Sequence, residues 1–168
     1  AQLEGLTITP AADDSTDFTL TVKLSSTDAP DGAATAEQTI AVTVNPLSDT
    51  PTLNVTSEAS GDEDSAIALS ISGALKDGTE ILSDYTISGV RSGATLSAGT
   101  DNGDGTWTVT STQLTGLTIK PAANDSTDFT LTVSLSSTDA PDAAATSEAT
   151  ITITADNDPT VAPTASVL

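Results

Sequence analysis

Carboxylates are the side chains of this sequence that could carry chemistry. The chain has 24 Asp and Glu against 4 Lys and Arg, and it contains neither His nor Cys. Without His or Cys, the Ser-His-Asp and Cys-His arrangements of hydrolases cannot be built, and zinc or copper would lack preferred ligands. Paired carboxylates serve in glycosidases, but here they recur on loops without a visible cleft. We therefore expect no enzyme, and Ca²⁺, which takes about six to eight oxygen ligands, is the natural counterpart.

Most of the acids lie between predicted strands, where alternate loops of a β-sandwich gather at the same end. Carboxylates held within about 4 to 6 Å repel one another, so such a group is costly unless a cation lies among them. At the end that faces the outgoing linker, the candidate calcium ligands are Asp62, Glu63, Asp64, Asp125, Asp128, Asp156 and Asp158. At the opposite end, which faces the previous domain, they are Asp77, Glu80, Asp139 and Asp142, with Asp101 and Asp104 expected nearby.

The segment 101–105 (DNGDG) looks like half of an EF-hand loop. However, Gly103 stands where that loop has Asp or Asn, and the downstream Glu is absent. Asn102, Gly103 and Gly105 instead favour a tight hairpin turn with positive φ angles.

The chain repeats itself with a shift of 111 residues. Residues 2–44 and 113–155 are identical at 33 of 43 positions. A period of this length matches one small domain per repeat. The duplicated corner and the first linker add four candidate calcium ligands, which are Asp13, Asp14, Asp17 and Asp49. We predict the C-terminal half of one repeat at 1–45, a linker at 46–51, a complete repeat at 52–157, and a linker with the start of the next repeat at 158–168.

Apolar residues at a spacing of two, interrupted by turn residues, predict an all-β fold. About seven strands per repeat fit a seven-stranded immunoglobulin-like or cadherin-like β-sandwich, with repeats in tandem. Phe129, Leu131, Val133 and Leu135 are expected to face the core from one strand. The predicted strands of the complete repeat are Thr52–Ser57, Ala66–Ser72, Tyr85–Val90, Ala94–Ala98, Thr106–Thr110, Asp128–Leu135 and Glu148–Thr154.

The half repeat at 1–45 cannot close a sandwich alone, so its edges need a partner. That partner is either the rest of a longer chain or another copy, through strand exchange or filament assembly. The net charge of −20 makes nucleic acids and anionic membrane surfaces poor partners. No apolar run of about 18 residues is present, so we expect no direct membrane insertion.

The chain resembles the tandem cadherin-like repeats of giant bacterial repeats-in-toxin (RTX) adhesins. The segments that carry the resemblance are GDEDSAIALSISGAL, DGTEILSDYTISGV, SGATLSAGTDNGDGTWTVT, QLTGLTIKPAANDSTDFTLTV and the closing DNDP. The resemblance implies extracellular repeats at the bacterial cell surface, stiffened by calcium at the domain junctions, that carry an adhesive tip away from the cell. The first linker reads NPLSDTP, with one Asp where DNDP has two, so the number of ligands is expected to differ between junctions.

The function we expect is a calcium-stiffened structural extender of a large adhesin or filament that supports adhesion and biofilm formation. Two nearly identical copies favour it, since a spacer gains from every copy whereas a binding site needs only one. The alternative is a calcium-dependent carbohydrate- or partner-binding module of a surface protein. Sugar sites usually expose aromatic platforms, whereas Phe18, Tyr85, Trp107 and Phe129 all fall on the inward phase of their strands.

Overall fold

Alternation of apolar and hydroxyl side chains builds the longest strands of the chain. The computed structural model describes residues 4–28 and 30–157. Asp158 and the predicted start of the next repeat lie outside the described residues. Within them the strands are β1 (Phe18–Asp28), β2 (Gly32–Val42), β3 (Thr52–Val55), β4 (Glu58–Asp62), β5 (Ile67–Ala68), β6 (Ile71–Ala74), β7 (Ile81–Leu82), β8 (Tyr85–Ser88), β9 (Thr95–Leu96), β10 (Thr100–Asp101), β11 (Trp107–Val109), β12 (Thr118–Lys120), β13 (Phe129–Thr138) and β14 (Ala145–Asp156). A 3₁₀ turn spans Ser111–Leu114.

The complete repeat is an all-β sandwich, as the sequence predicts. One layer has the strand order β10-β11-β8-β13-β14-β4, with β7 beside β13. The other layer holds β5-β12-β9 and the pair β3-β6. Its core packs side chains such as Ile87 and Val133 of the first layer against Ile67 and Ile119 of the second. Burial of these apolar faces is the main force that holds the layers together.

Strand β13 confirms the predicted inward face. Leu131, Val133 and Leu135 are buried, Phe129 is half-buried, and the alternating Thr and Ser side chains are more exposed. Tyr85 is also buried, and this burial raises the pKa of its phenol. Trp107, which was also predicted to point inward, is only half-buried at the edge of the core.

The predicted strand Ala66–Ser72 divides into β5 and β6, which pair with different strands, and two further predicted strands have unexpected neighbours. The predicted strand Thr52–Ser57 is followed by β4, which pairs in parallel with β14 in the other layer. The predicted strand Thr106–Thr110 is β11, which pairs with β8, whereas the apolar residues Leu117 and Ile119 belong to the opposite layer around β12. The 3₁₀ turn, closed by Thr110 and Gln113 in a capping box, makes this change of layer.

The half repeat forms the same hairpin as the complete repeat. Strand β1 pairs with β2 from Phe18 opposite Val42 onward, and β13 pairs with β14 from Phe129 opposite Ile153 onward. These registers are identical after the shift of 111 residues. Within 4–28 and 30–157, however, β1 and β2 form a sheet of two strands only.

Candidate metal centre

The first linker is held against two loops of the complete repeat. From the loop between β13 and β14, the Asp142 carboxylate accepts the Ser48 N–H at 2.9 Å, and the Asp139 N–H donates to the Ser48 hydroxyl at 2.9 Å. The next linker residue, Asp49, donates its N–H to the Glu80 carboxylate, and its carbonyl accepts the Ser137 hydroxyl. The linker therefore has a defined position on the end of the sandwich that carries Asp77 and Glu80.

Three carboxylates from three separate segments meet at this linker. Asp13 comes from the half repeat, Asp49 from the linker, and Asp77 from the loop before β7, and one oxygen of each lies within 4.8 Å of the others. Asp14 and Asp139 line the same cleft, whose volume is about 250 Å³. Among the described residues this is the one group of three such ligands.

Local turns orient these carboxylates. Asp13 has a φ of 59°, and its counterpart Asn124 has a φ of 54°. Asp and Asn adopt this left-handed conformation more readily than other non-Gly residues, which explains why either can occupy the corner. Asp77 accepts the N–H of Thr79 at 2.9 Å and its hydroxyl at 2.7 Å, and these bonds hold the pKa of Asp77 below its usual range. The hydroxyl and N–H of Thr16 lower the pKa of Asp14 in the same way.

Glu80 is buried beside the cluster, with an exposed fraction of 5%. One of its carboxylate oxygens accepts the Asp49 N–H. The other oxygen is buried and, among the residues that the structure describes, has no hydrogen-bond partner. A buried carboxylate oxygen without a partner is costly unless a cation or a donor reaches it.

Lys76 is a positive charge already present at the site. Its ammonium contacts the Asp49 carboxylate at 3.0 Å. The hydrogen bond to Asp49 and the charge of Asp49 raise the pKa of Lys76, and Asp13 and Glu80 add to this effect. Asp13, Asp49, Asp77 and Glu80 together carry a formal charge of −4 (four carboxylates) and Lys76 carries +1, which leaves −3. The site therefore remains strongly anionic.

The donor set fits a hard divalent cation. Two oxygens on opposite sides of a Ca²⁺ ion, each at about 2.4 Å, lie about 4.8 Å apart. The three Asp oxygens lie no further apart than that, so their separations are in the range that ligands of one Ca²⁺ ion have. Carboxylates, backbone carbonyls and water are the ligands that Ca²⁺ prefers, whereas softer metals prefer the His nitrogen and Cys sulfur ligands that this chain lacks.

The other end of the complete repeat gathers part of the second predicted set. Asp62 is the register partner of Asp156 across β4 and β14, and the Glu63 N–H donates to the Asp156 carbonyl at 2.8 Å. Glu63 is buried, and one of its carboxylate oxygens has no hydrogen-bond partner within the described ranges. Asp64 follows with a φ of 65°.

The remaining candidates at this end already have partners in the fold. The Asp128 carboxylate accepts the Ala155 N–H at 3.2 Å, and its counterpart Asp17 accepts the Val44 N–H at 2.8 Å. Asp125 forms an ion pair with Arg91 at 2.7 Å. Asp17, Asp125 and Asp128 are held by backbone or Arg donors, and within the described ranges none of them belongs to a group of three carboxylates. Asp158 lies outside the described residues.

The predicted position of Asp101 and Asp104 is wrong. The hairpin β10–β11 runs beside the end of β8, and the Val90 N–H donates to the Gly105 carbonyl at 3.2 Å. It therefore lies at the end with Arg91 and Asp125, because β11 joins β8 in the first layer. The predicted tight turn is present, with φ angles of 82° at Gly103 and 83° at Gly105. The positive φ predicted for Asn102 is wrong, because this residue still pairs with the opposite side of the hairpin and donates its N–H to the Thr106 carbonyl.

Sequence reasoning missed three residues at the candidate site, which are Lys76, Ser48 and Ser137. Lys76 carried a usable signal, since it is one of only 4 basic residues and directly precedes Asp77. The two serines carried none, because Ser is common throughout the chain.

No protein-family model matches this sequence, and no curated protein matches it. The part of the chain covered by the structure holds no helix with the length and apolarity to span a bilayer.

Proposed function

We propose that this chain is a segment of a structural extender, a stalk of tandem β-sandwich repeats whose junctions are stiffened by Ca²⁺. The observation that carries the proposal is the meeting of Asp13, Asp49 and Asp77 at the first linker. The three residues belong to one repeat, the linker and the next repeat. A single cation bound by them would join two domains and their connection, which is the action that a stiff stalk requires.

Electrostatics support a calcium-dependent junction. Without a cation, the carboxylates of the cluster repel one another, and among the described residues only Lys76 offsets them by direct contact. The hydrogen bonds to Ser48 and Asp49 fix the linker on the following repeat, but they do not reach the Asp13 corner. The cation would supply that missing connection. A bacterial adhesin or filament at the cell surface, supporting adhesion and biofilm formation, is the setting we propose for such a stalk.

Small-angle X-ray scattering of the chain, with Ca²⁺ and with a chelator, tests this function. We expect Ca²⁺ to give a larger and better-defined maximum dimension, since a stiff junction samples fewer bent arrangements. Calorimetry should show that D49N binds Ca²⁺ about tenfold or more weakly, because ligand charge sets the affinity of such sites. D104N removes the same charge at the far end of the repeat and serves as the matched control. Binding without any change in scattering would exclude stiffening, and absence of binding would exclude the site.

Lys76 provides a sharper test of the same site. Its ammonium occupies the cluster, so a bound cation must work against it. We expect K76A to bind Ca²⁺ about tenfold more tightly, because a like charge within a few ångströms is removed. K120A removes an exposed Lys on β12 and is the control. Weaker binding in K76A would instead show that Lys76 positions Asp49 as a ligand.

A calcium-dependent carbohydrate-binding module is the second candidate. The observation that favours it is Trp107, which is half-buried rather than buried and lines an open polar cleft with Arg91 and Asp101. A glycan array separates the candidates, since a clear hit that W107A abolishes would favour sugar binding over a spacer role.

A further inference from the structure

The half repeat exposes a face that the complete repeat buries. Leu24 is 71% exposed while its counterpart Leu135 is 1% exposed, and Ile40 is 52% exposed while Ile151 is 1% exposed. Leu6 and Ile8, the counterparts of Leu117 and Ile119, are exposed as well. These side chains are of the same types in both copies, so their chemistry does not explain the difference.

The cover on the buried face comes from the front half of the complete repeat, Thr52–Val109. Ile119 lies between Leu96 and Ile67 across strand pairs, and Val133 lies opposite Ile87. The Leu135 side chain packs over the backbone of Gly73, so close that a Cβ there would lie 2.3 Å from its Cδ2 atom. The front half is therefore complementary in shape to the face that it buries.

The front half also pairs with both outer edges of the back hairpin. Strand β8 runs antiparallel to β13 at Thr132–Ser134, and β4 runs parallel to β14 at Thr152–Asp156. The corresponding edges of the half repeat are residues 21–23 of β1 and residues 41–45 at the end of β2. Among the described residues, no further strand pairs with β1 or β2 there. Unpaired edges beside an exposed apolar face form a template for added strands.

We infer that the open face of β1–β2, together with Leu6 and Ile8, is an acceptor surface for the front half of a repeat of the same type as Thr52–Val109, joined in cis before it. Two edges and one apolar face specify that occupant, since it must offer an antiparallel strand, a parallel strand and an apolar layer at once. A second copy of this chain is a poorer occupant, because its own front half is already bound to its own back half. In the complete repeat only residues 110–117 separate β11 from β12. The front half and the apolar face that it covers are therefore adjacent parts of one continuous chain.

Hydrogen exchange on two chains tests this inference. The first is the 168-residue chain, and the second carries an extra copy of residues 46–111 directly before Ala1, which preserves the spacing of the repeat. We expect the backbone amides of β1 and β2 to exchange about 100-fold more slowly in the extended chain, approaching those of β13 and β14. The amides of β13 and β14 report in both chains whether the complete repeat is folded.

A double substitution in the extended chain provides the control. V22D with L24D places two charges on the acceptor face and should abolish the added protection of β1–β2, while β13–β14 stay protected. Unchanged exchange of β1–β2 in the extended chain, with a folded complete repeat, would overturn the inference. A stable dimer of the 168-residue chain in sedimentation, with β1–β2 protected, would also overturn it, because the face would then belong to a second copy.

Discussion

The hairpins β1–β2 and β13–β14 have almost the same sequence and the same register, but their surroundings are opposite. One face of β13–β14 is closed by the second layer of the sandwich, whereas the same face of β1–β2 is open. The comparison separates what a hairpin specifies by itself from what it receives from the rest of its domain. Strand length, register and the corner turns are local, and burial comes from the front half of the repeat.

The two hairpins should differ most in the free energy of unfolding that is lost when Leu135 and its counterpart Leu24 are each shortened to Ala. We expect L135A to lower the free energy of unfolding by about 2 to 5 kcal/mol, because it removes buried methyl groups and leaves a cavity. We expect L24A to change it by no more than about 0.5 kcal/mol, since Leu24 is exposed. Urea unfolding followed by far-UV circular dichroism, which reports on the strands of both hairpins, measures both variants. Similar losses would show that the first hairpin is packed in solution.

The cover over β13 can be tested at its closest contact. A Cβ at Gly73 would lie 2.3 Å from Leu135 Cδ2 and 2.7 Å from the Tyr85 hydroxyl. We expect G73A to cost about 1 to 3 kcal/mol, because a packed core must move to admit the methyl group. Gly78 has open space around the position of an added Cβ, so G78A is the matched control. Urea unfolding of the two variants gives the comparison, and a neutral G73A would mean that the front half sits further from β13.

How far the sequence predicts this fold depends on the kind of pairing involved. The alternation of Leu131, Val133 and Leu135 identifies a buried face, because antiparallel hairpins depend on local sequence. Strand β4 could not be found in this way. Its residues, EASGD, have little apolar character, and its position is set by parallel pairing with the distant β14. The layers of β11 and β12 are likewise set by pairing with distant strands, so the sequence could not show that they lie in opposite layers.

The sequence placed the three carboxylates of this cluster at the first junction, but it did not indicate which other residues lie beside them. Asp13, Asp49 and Asp77 were each expected to face this junction, since each lies in a loop beside the first linker. Lys76 was not expected to lie among them, although it directly precedes Asp77, because the sequence does not show where a long flexible side chain reaches. Asp101 and Asp104 were assigned to the wrong end, since that assignment depended on which layer receives β11.

A smaller effect is expected at the ends of the two hairpins. Asp128 accepts the Ala155 N–H and Asp17 accepts the Val44 N–H, so the same bond closes both copies. We expect D128A to lower the free energy of unfolding by about 1 kcal/mol, because a partly buried N–H loses its acceptor next to the core. D17A should leave that free energy almost unchanged, since its hairpin is not part of a closed core. Urea unfolding measures both, and equal losses would show that the two hairpin ends are equally supported.

The smallest expected effect is a change in the pKa of Asp125, which is paired with Arg91 and is the counterpart of Asp14. Asp14 and Asp125 both accept hydrogen bonds from a Thr two residues later, and the pKa of each carboxyl is lowered mainly by the Thr hydroxyl and then by its N–H. Arg91 lowers the pKa of Asp125 further. Since folding favours the ionised forms, their contribution to stability is present above the ordinary pKa of 3.8 and is lost as the pH falls through the lowered value.

We therefore expect R91Q to raise the pKa of Asp125 part of the way toward 3.8, while the pKa of Asp14 stays the same. Carboxyl carbon shifts followed by NMR from pH 2 to 6 without calcium measure both groups in one sample, and Asp14 is the internal control. The Thr127 bonds remain in R91Q, so Asp125 should keep a pKa below the ordinary one. A shift at both corners, or at neither, would mean that Arg91 does not act locally on Asp125 and that the two corners differ for another reason.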